Sequence, residues 1–297
     1  MLLRLRRLKL DFSSTKPSSR DHLTMEPIPP TFPTYISYGN YLFEIAKLMV
    51  GHHKATIRST TPYTKYEQVL AYDAQMRTLA PTGMPRYFHV VEPTHPSWPE
   101  WVPWARRSLT ICFAHKMIMI HRNFIRQSFT NPAYSMTRTT CVAAAKAILK
   151  EANLAKDRAG PIIWVDKAFC VAAGMVLCLD IFHRSESDPE FKSHKERITK
   201  CIQFLRRYDT STIAVRGAKV LIFLLAERDK VALSLTSLPH VIDLSRLLHA
   251  LEAETGFGPT SDQQSRSIPP LLPSQAGFRN HFIFDPLLQF GYNPPLT

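Results

Sequence analysis

The positions of this 297-residue chain that could do chemistry are twelve histidines, five cysteines and a few acidic residues set inside apolar runs. The histidines come singly or side by side, as in His52-His53. His115 and His121 are six apart on one predicted helix, which puts them on opposite sides rather than on one metal-binding face. Cys112, Cys141, Cys170, Cys178 and Cys201 are odd in number, widely spread and embedded in apolar segments. They form no CxxC pair, so neither a disulfide framework nor a zinc site built on that unit is expected, and a reducing compartment is the default. Cys170 and Cys178 read as core residues, because a free cysteine packs as a small hydrophobe. Glu44, Asp73 and Asp180 also sit in apolar helical segments, where a buried ion-pair or capping role is expected ahead of acid–base catalysis. The chain has no Walker loop, GxGxxG, GxSxG, HExxH or DxD pair. The expectation is a protein that is not an enzyme and that needs no cofactor within this chain.

The elements that must position these residues are helical. Apolar residues at 45% and charged residues at 21% are ordinary globular values, whereas 10 glycines make an unusually low share that disfavours glycine-rich nucleotide loops and β-sandwiches. Residues 1–34 are basic and rich in Pro and Ser and read as an extended strap. Helical spacing then predicts helices over 35–54 (Leu42, Ile45, Ala46, Met49) and 65–79 (Tyr66, Val69, Leu70, Asp73, Met76), the second stopped by Pro81 and Gly83. A proline-rich loop over 81–103 leads to Trp98, Trp101 and Trp104. Further helices are predicted over 104–129, 137–157, 162–184 (apolar nearly all round), from Pro189 with Asp188 as its N-cap, over 212–229 and over 239–254. Residues 256–297 form a Pro/Gly/aromatic tail. The fold class is all-α, one irregular multi-helix domain over 35–255 between the strap and a loose tail. The uncharged run through the most apolar segment, Ala168–Leu179, is far short of the ~20 residues a membrane span needs, so a soluble protein is expected.

The formal charge of +13 is concentrated in two places. Residues 1–20 carry six Lys/Arg against one Asp, and residues 101–150 carry eight Lys/Arg and no acid. The first segment fits a basic linker, a mitochondrial presequence or a nucleic-acid-contacting or nuclear-targeting arm. The second offers Arg106, Arg107, Lys116 and Arg126, with Arg122, Arg138 and Lys146, as a patch for phosphate or an acidic partner. The competing reading is a set of helix faces whose acidic neighbours come from elsewhere in the fold.

The run Leu109-Thr-Ile-Cys-Phe-Ala-His-Lys-Met-Ile-Met-Ile-His-Arg-Asn-Phe-Ile125 resembles the central helix of the fungal-specific transcription factor domain, the middle homology region of fungal binuclear zinc-cluster regulators. That helix typically ends in Leu-His-Arg-Pro-Phe-Leu, matched here by Ile120-His121-Arg122-Asn123-Phe124-Ile125 with Asn123 in place of proline. Thr139-Thr140-Cys141 opening an Ala-rich helix is similar to the family's next element, and Leu42–Met49 and Tyr66–Met76 are similar to its two preceding helices. The resemblance covers roughly 35–230 and leaves out the six-cysteine cluster and the opening helices of the domain. It implies a transcription regulator, acting in the nucleus (with cytoplasm as the alternative) through other regulatory proteins, a homodimer or a small-molecule effector, and touching DNA only indirectly or non-specifically. Zinc is expected only with a six-cysteine cluster preceding Met1. His121, Arg122, Phe124 and Cys141 are expected to be structural, and Trp98, Trp101 and Trp104 to line an effector pocket. The alternative is a helical metabolite-binding protein or biosynthetic enzyme.

Overall fold

Capping chemistry sets where the first helices begin. Thr34 and Thr61 each accept a hydrogen bond from the backbone N–H three residues on, at Ser37 and Thr64, and the hydroxyls of Ser37 and Thr64 accept from the caps' own N–H groups. Each start thereby satisfies two otherwise orphaned donors. The computed structural model describes residues 31–154 and 163–233. Helix α1 (Tyr35–Arg58) and α2 (Pro62–Gly83) follow these caps. In α1, Ile45 is buried and Leu42 and Met49 are half-buried, as their spacing predicts, but Ala46 faces outward. The predicted stop at Pro81 comes slightly early: α2 runs through it to Gly83, with the proline forgoing its own N–H bond to the carbonyl four residues back in the last turn.

After a short 3-10 turn at Arg86–Phe88, α3 spans Val102–His121. The single helix expected to 129 is instead α3 followed by three 3-10 turns, Arg122–Phe124, Gln127–Phe129 and Pro132–Tyr134. The Ser128 and Thr130 hydroxyls donate to the carbonyls of Ile125 and Gln127, three residues back, and Pro132 cannot donate at all. This favours the tighter turn over a continuing α-helix. Then come α4 (Ser135–Leu154), α5 (Trp164–Phe182), α6 (Pro189–Leu205) and α7 (Thr212–Leu233). Asp188 caps α6 as its sequence predicts, its carboxylate accepting from the Glu190 N–H at 2.8 Å. The predicted helix over 239–254, the strap up to residue 30 and the tail over 256–297 lie outside the described residues.

These seven helices, with no strand among the described residues, form one helical domain. Helix α5 is its axis, packed against α3, α4, α6 and α7, and every residue from Ala168 to Ile181 is buried. The α1–α2 pair packs on α3, and the α6–α7 pair packs on α5. The crossing of α5 and α7 is close because each helix presents a glycine to a branched side chain of the other. A β-carbon at Gly174 would stand 2.7 Å from a Leu221 methyl, and one at Gly217 would stand 2.1 Å from a Val171 methyl. No described helix is long and apolar enough to cross a membrane.

Candidate functional site

The residues with chemical potential gather at two junctions between helices. At the first, α2, α3 and α4 meet around Asp73 and His121, both fully buried. Asp73 Oδ1 lies 3.0 Å from His121 Nε2, and Thr137 Oγ1 lies 2.9 Å from His121 Nδ1. With Asp73 ionised, Nε2–H is the donor to the carboxylate, and Nδ1 is paired with the Thr137 hydroxyl. Arg77, one turn after Asp73, donates from Nε to Oδ2 at 2.6 Å and from Nη2 to Oδ1 at 3.0 Å, and also reaches Thr140 Oγ1 at 2.9 Å. Burial pushes the Asp73 carboxyl upward, but the hydrogen bonds from His121 and Arg77 outweigh it and hold the group below its ordinary value.

Threonine, histidine and aspartate here occupy the order of a nucleophile, its base and the group that orients the base. Access is what is missing. Neither Thr137 nor His121 has any exposed surface, so no substrate atom can reach the roughly 3 Å that attack requires. The cluster is a brace between three helices.

The second junction joins α4, α5 and α6 around Asp180, which is also fully buried. Arg138 Nε donates to Oδ1 at 2.7 Å, and Arg184 donates to Oδ2 and, through Nη1, to Asp188 at 2.7 Å. His194 places Nδ1 3.0 Å from Asp180 Oδ2 and Nε2 3.1 Å from Glu190 Oε2, at ion-pair range but with its N–H directions off both oxygens. Lys146 on α4 pairs with Glu190. Burial raises the Asp180 carboxyl, and the combined contacts of His194, Arg184 and Arg138 overcome this and hold it well below the usual carboxylate range. Asp73 and Asp180 thus take the ion-pair role expected of them. Glu44 does not share it, because it lies on the surface paired with Lys47 at 2.9 Å.

The expected basic patch is not assembled. Arg106 is buried, donating to the carbonyls of Tyr87 (2.8 Å) and Glu92 (2.7 Å) beneath the Trp98 ring. Arg107 is buried as well, where its charge opposes the upward push of burial on the Asp166 carboxyl. Lys116 holds its ammonium 5.5 Å from the centre of the Phe169 ring. Arg138 and Lys146 are bound to acids of α5 and α6, which is the competing reading of this charge run. Of the four patch residues, Arg126 alone is exposed, so this segment offers no contiguous basic surface.

The three tryptophans expected to line an effector pocket each pack on a neighbouring ring. Trp101 stacks on Tyr35 at 4.4 Å, Trp104 leans on Tyr38 at 5.7 Å, and Trp98 packs edge-on to Tyr87 at 6.2 Å. All three rings are half-buried against the core. A cleft of about 410 Å³ lies along α6, beside Phe191, Lys192, Lys195, Glu196 and Lys200.

The residues matched to the family motif lie in or against the core. Phe124 packs with Tyr66 and Tyr134 at 4.9 and 5.2 Å, and Cys141 is buried at the start of α4 with its thiol pushed up by burial. Arg122 is half-buried and reaches the Met119 sulfur. Cys170, Cys178 and Cys201 are likewise buried and Cys112 half-buried, dispersed over α3, α5 and α6, so they do not form the donor set of a zinc cluster. No group of three or more His, Cys, Asp or Glu among the described residues could hold a metal ion.

Four participants were not legible as such. Arg77, Arg184 and His194 each lie four residues after their acid, a visible spacing, but Thr137 carries no sequence signal pointing to His121. The neighbours His52 and His53 diverge, the first buried edge-on to Tyr72 and the second exposed. His115 is buried and stacked on Phe169 at 3.7 Å, and neither ring nitrogen has a hydrogen-bond partner among the described residues. No known protein family, no characterised protein and no solved structure matches this chain.

Proposed function

We propose that this chain is a regulatory module of transcription, working through protein contacts and without its own sequence-reading element. The resemblance of Leu109–Ile125 and of the segment around Cys141 to the fungal-specific transcription factor domain supports the reading. The observation that carries it is the sealed Asp73–His121–Thr137 junction. There the most reactive-looking residues of the chain are spent on joining helices, which leaves outer surfaces as the working part. The inward turn of Arg106 and Arg107 agrees with a chain that does not track phosphates.

The test is to tether the full chain to an unrelated DNA-binding domain in a fungal host and read a reporter. A several-fold change in reporter output that is lost when surface residues are altered, with nuclear accumulation of the untethered chain, is the expected result. An unchanged reporter from a folded, expressed fusion would remove the proposal. A sequence-specific gel shift by this chain alone at physiological salt would also count against it.

A further inference from the structure

Helix α1 carries a second apolar surface that the other described residues leave uncovered. Its inner side is Tyr41, Ile45 and His52, with Tyr38, Leu48 and Met49 half-buried beside them. On the side away from these lie Ile36, Phe43, Val50 and Ile57, at 75, 63, 53 and 69% exposure. They follow one another at intervals of seven through the whole helix, and three residues after the first three of them stand Gly39, Ala46 and His53, also exposed. A large apolar residue every seventh position, with the small Gly39 and Ala46 at the intervening step, is the pattern of a helix that wraps another helix. A merely solvated face has no reason to keep that interval.

We infer that the outer stripe of α1, Ile36–Phe43–Val50–Ile57, is a self-association surface that pairs with the same stripe of a second copy of this chain. A two-fold axis makes such a contact isologous, with the full length of the stripe buried on both copies. The stripe is about 32 Å long at about 1.5 Å per residue. Each of its side chains offers on the order of 60–120 Å² of apolar surface. Eight of them with the flanking residues bury on the order of 1,000 Å², at the lower end of what a specific interface needs. The dimer is therefore weak, with dissociation in the micromolar range. Lys47 and Lys54 flank the stripe. Lys47 is already tied to Glu44 and lies over the Phe43 ring at 5.7 Å, so its stem covers the stripe while its charge stays in water. The inference is independent of the regulatory reading.

The experiment is sedimentation of the full chain from about 1 to 100 µM, with Phe43→Glu and Val50→Lys beside it. A reversible monomer–dimer equilibrium that either substitution weakens by at least about tenfold is expected, since each buries an unpaired charge. A monomer at every concentration, or a dimer indifferent to both changes, overturns the inference. If either variant misfolds by circular dichroism, Ala46→Cys decides. Ala46 is at the midpoint of the stripe, so a two-fold pair brings both copies of position 46 together whichever way the helices run. Mild oxidation then gives a covalent dimer that the unsubstituted chain does not form, and absence of that cross-link counts against the stripe.

Discussion

His121 shows how a residue can have the partners of a catalyst and the work of a bolt. Its two ring nitrogens join Asp73 of α2 to Thr137 of α4 across its own helix, in a place no substrate enters. Removing one member of such a buried set leaves the others uncompensated, which costs more than the set contributes as a whole. Asp73→Asn and Asp180→Asn are each expected to lower unfolding free energy by about 2–4 kcal/mol, read from urea midpoints. Thr137→Val removes a single neutral hydrogen bond and is expected to cost only about 1 kcal/mol. Equal losses at positions 73 and 137 would mean the carboxylate is not the centre of the brace. His115 makes the opposite case, a buried ring held by stacking on Phe169 alone, so His115→Leu at neutral pH is expected to change stability far less than Asp73→Asn does.

At the scale of elements, helix packing turns on where a β-carbon has room. Gly217→Ala would drive a methyl into the stiff, branched Val171 and should destabilise by about 1–3 kcal/mol, overriding the helical preference for alanine. Gly39, also helical, has nothing within 4 Å, and Gly39→Ala should instead stabilise by about 0.5–1 kcal/mol when measured at high dilution. Thermal denaturation of both variants checks the pair, and the same sign for both would contradict the close α5–α7 crossing. Much of this helical frame was legible in the chain, because apolar spacing and caps are local. Asp188 before Pro189 marks the start of α6 for that reason, and the helix predicted over 137–157 is α4, which buries Val142, Ala145, Leu149 and Ala152. What was not legible depends on distant partners. Arg106 looked like a surface cation because the carbonyls of Tyr87 and Glu92 that receive it are fixed only by the fold. The partners of the tryptophans, Tyr35, Tyr38 and Tyr87, are likewise set by the fold and not by spacing. The seven-residue interval on α1 was present in the sequence too, and a reading that looked for the core-facing side passed over it.

The molecule as a whole is built to be acid-sensitive. Burial lowers His52 to about 4, helped by His121 and Arg122, and lowers His115 to about 3, helped by Lys116 and Arg122, whereas an unfolded histidine titrates near 6.5. Because the folded values are depressed, the unfolded chain takes up these protons first, and stability falls as pH drops below about 6.5. At pH 5 the loss is up to about 2 kcal/mol for each histidine. Asp73 and Asp180 have depressed folded values of the carboxylate kind, so their contribution is present above about 4 and disappears below it. Urea midpoints should therefore decline from pH 7 to 5 and more steeply below 4, and His115→Leu should flatten the first part of the profile. A midpoint unchanged between pH 7 and 5 would contradict this. The scattered sulfurs then act as clocks. Cys141 on α4, Cys170 and Cys178 on α5 and Cys201 on α6 are sealed with thiols that burial makes hard to ionise, while Cys112 on α3 is half-exposed. An alkylating reagent reaches each only when its helix lifts away, so the order of labelling records the order in which the helices part. Simultaneous modification of the four would describe one cooperative unit, and earlier modification of Cys201 would mark the α6–α7 pair as the side that opens first.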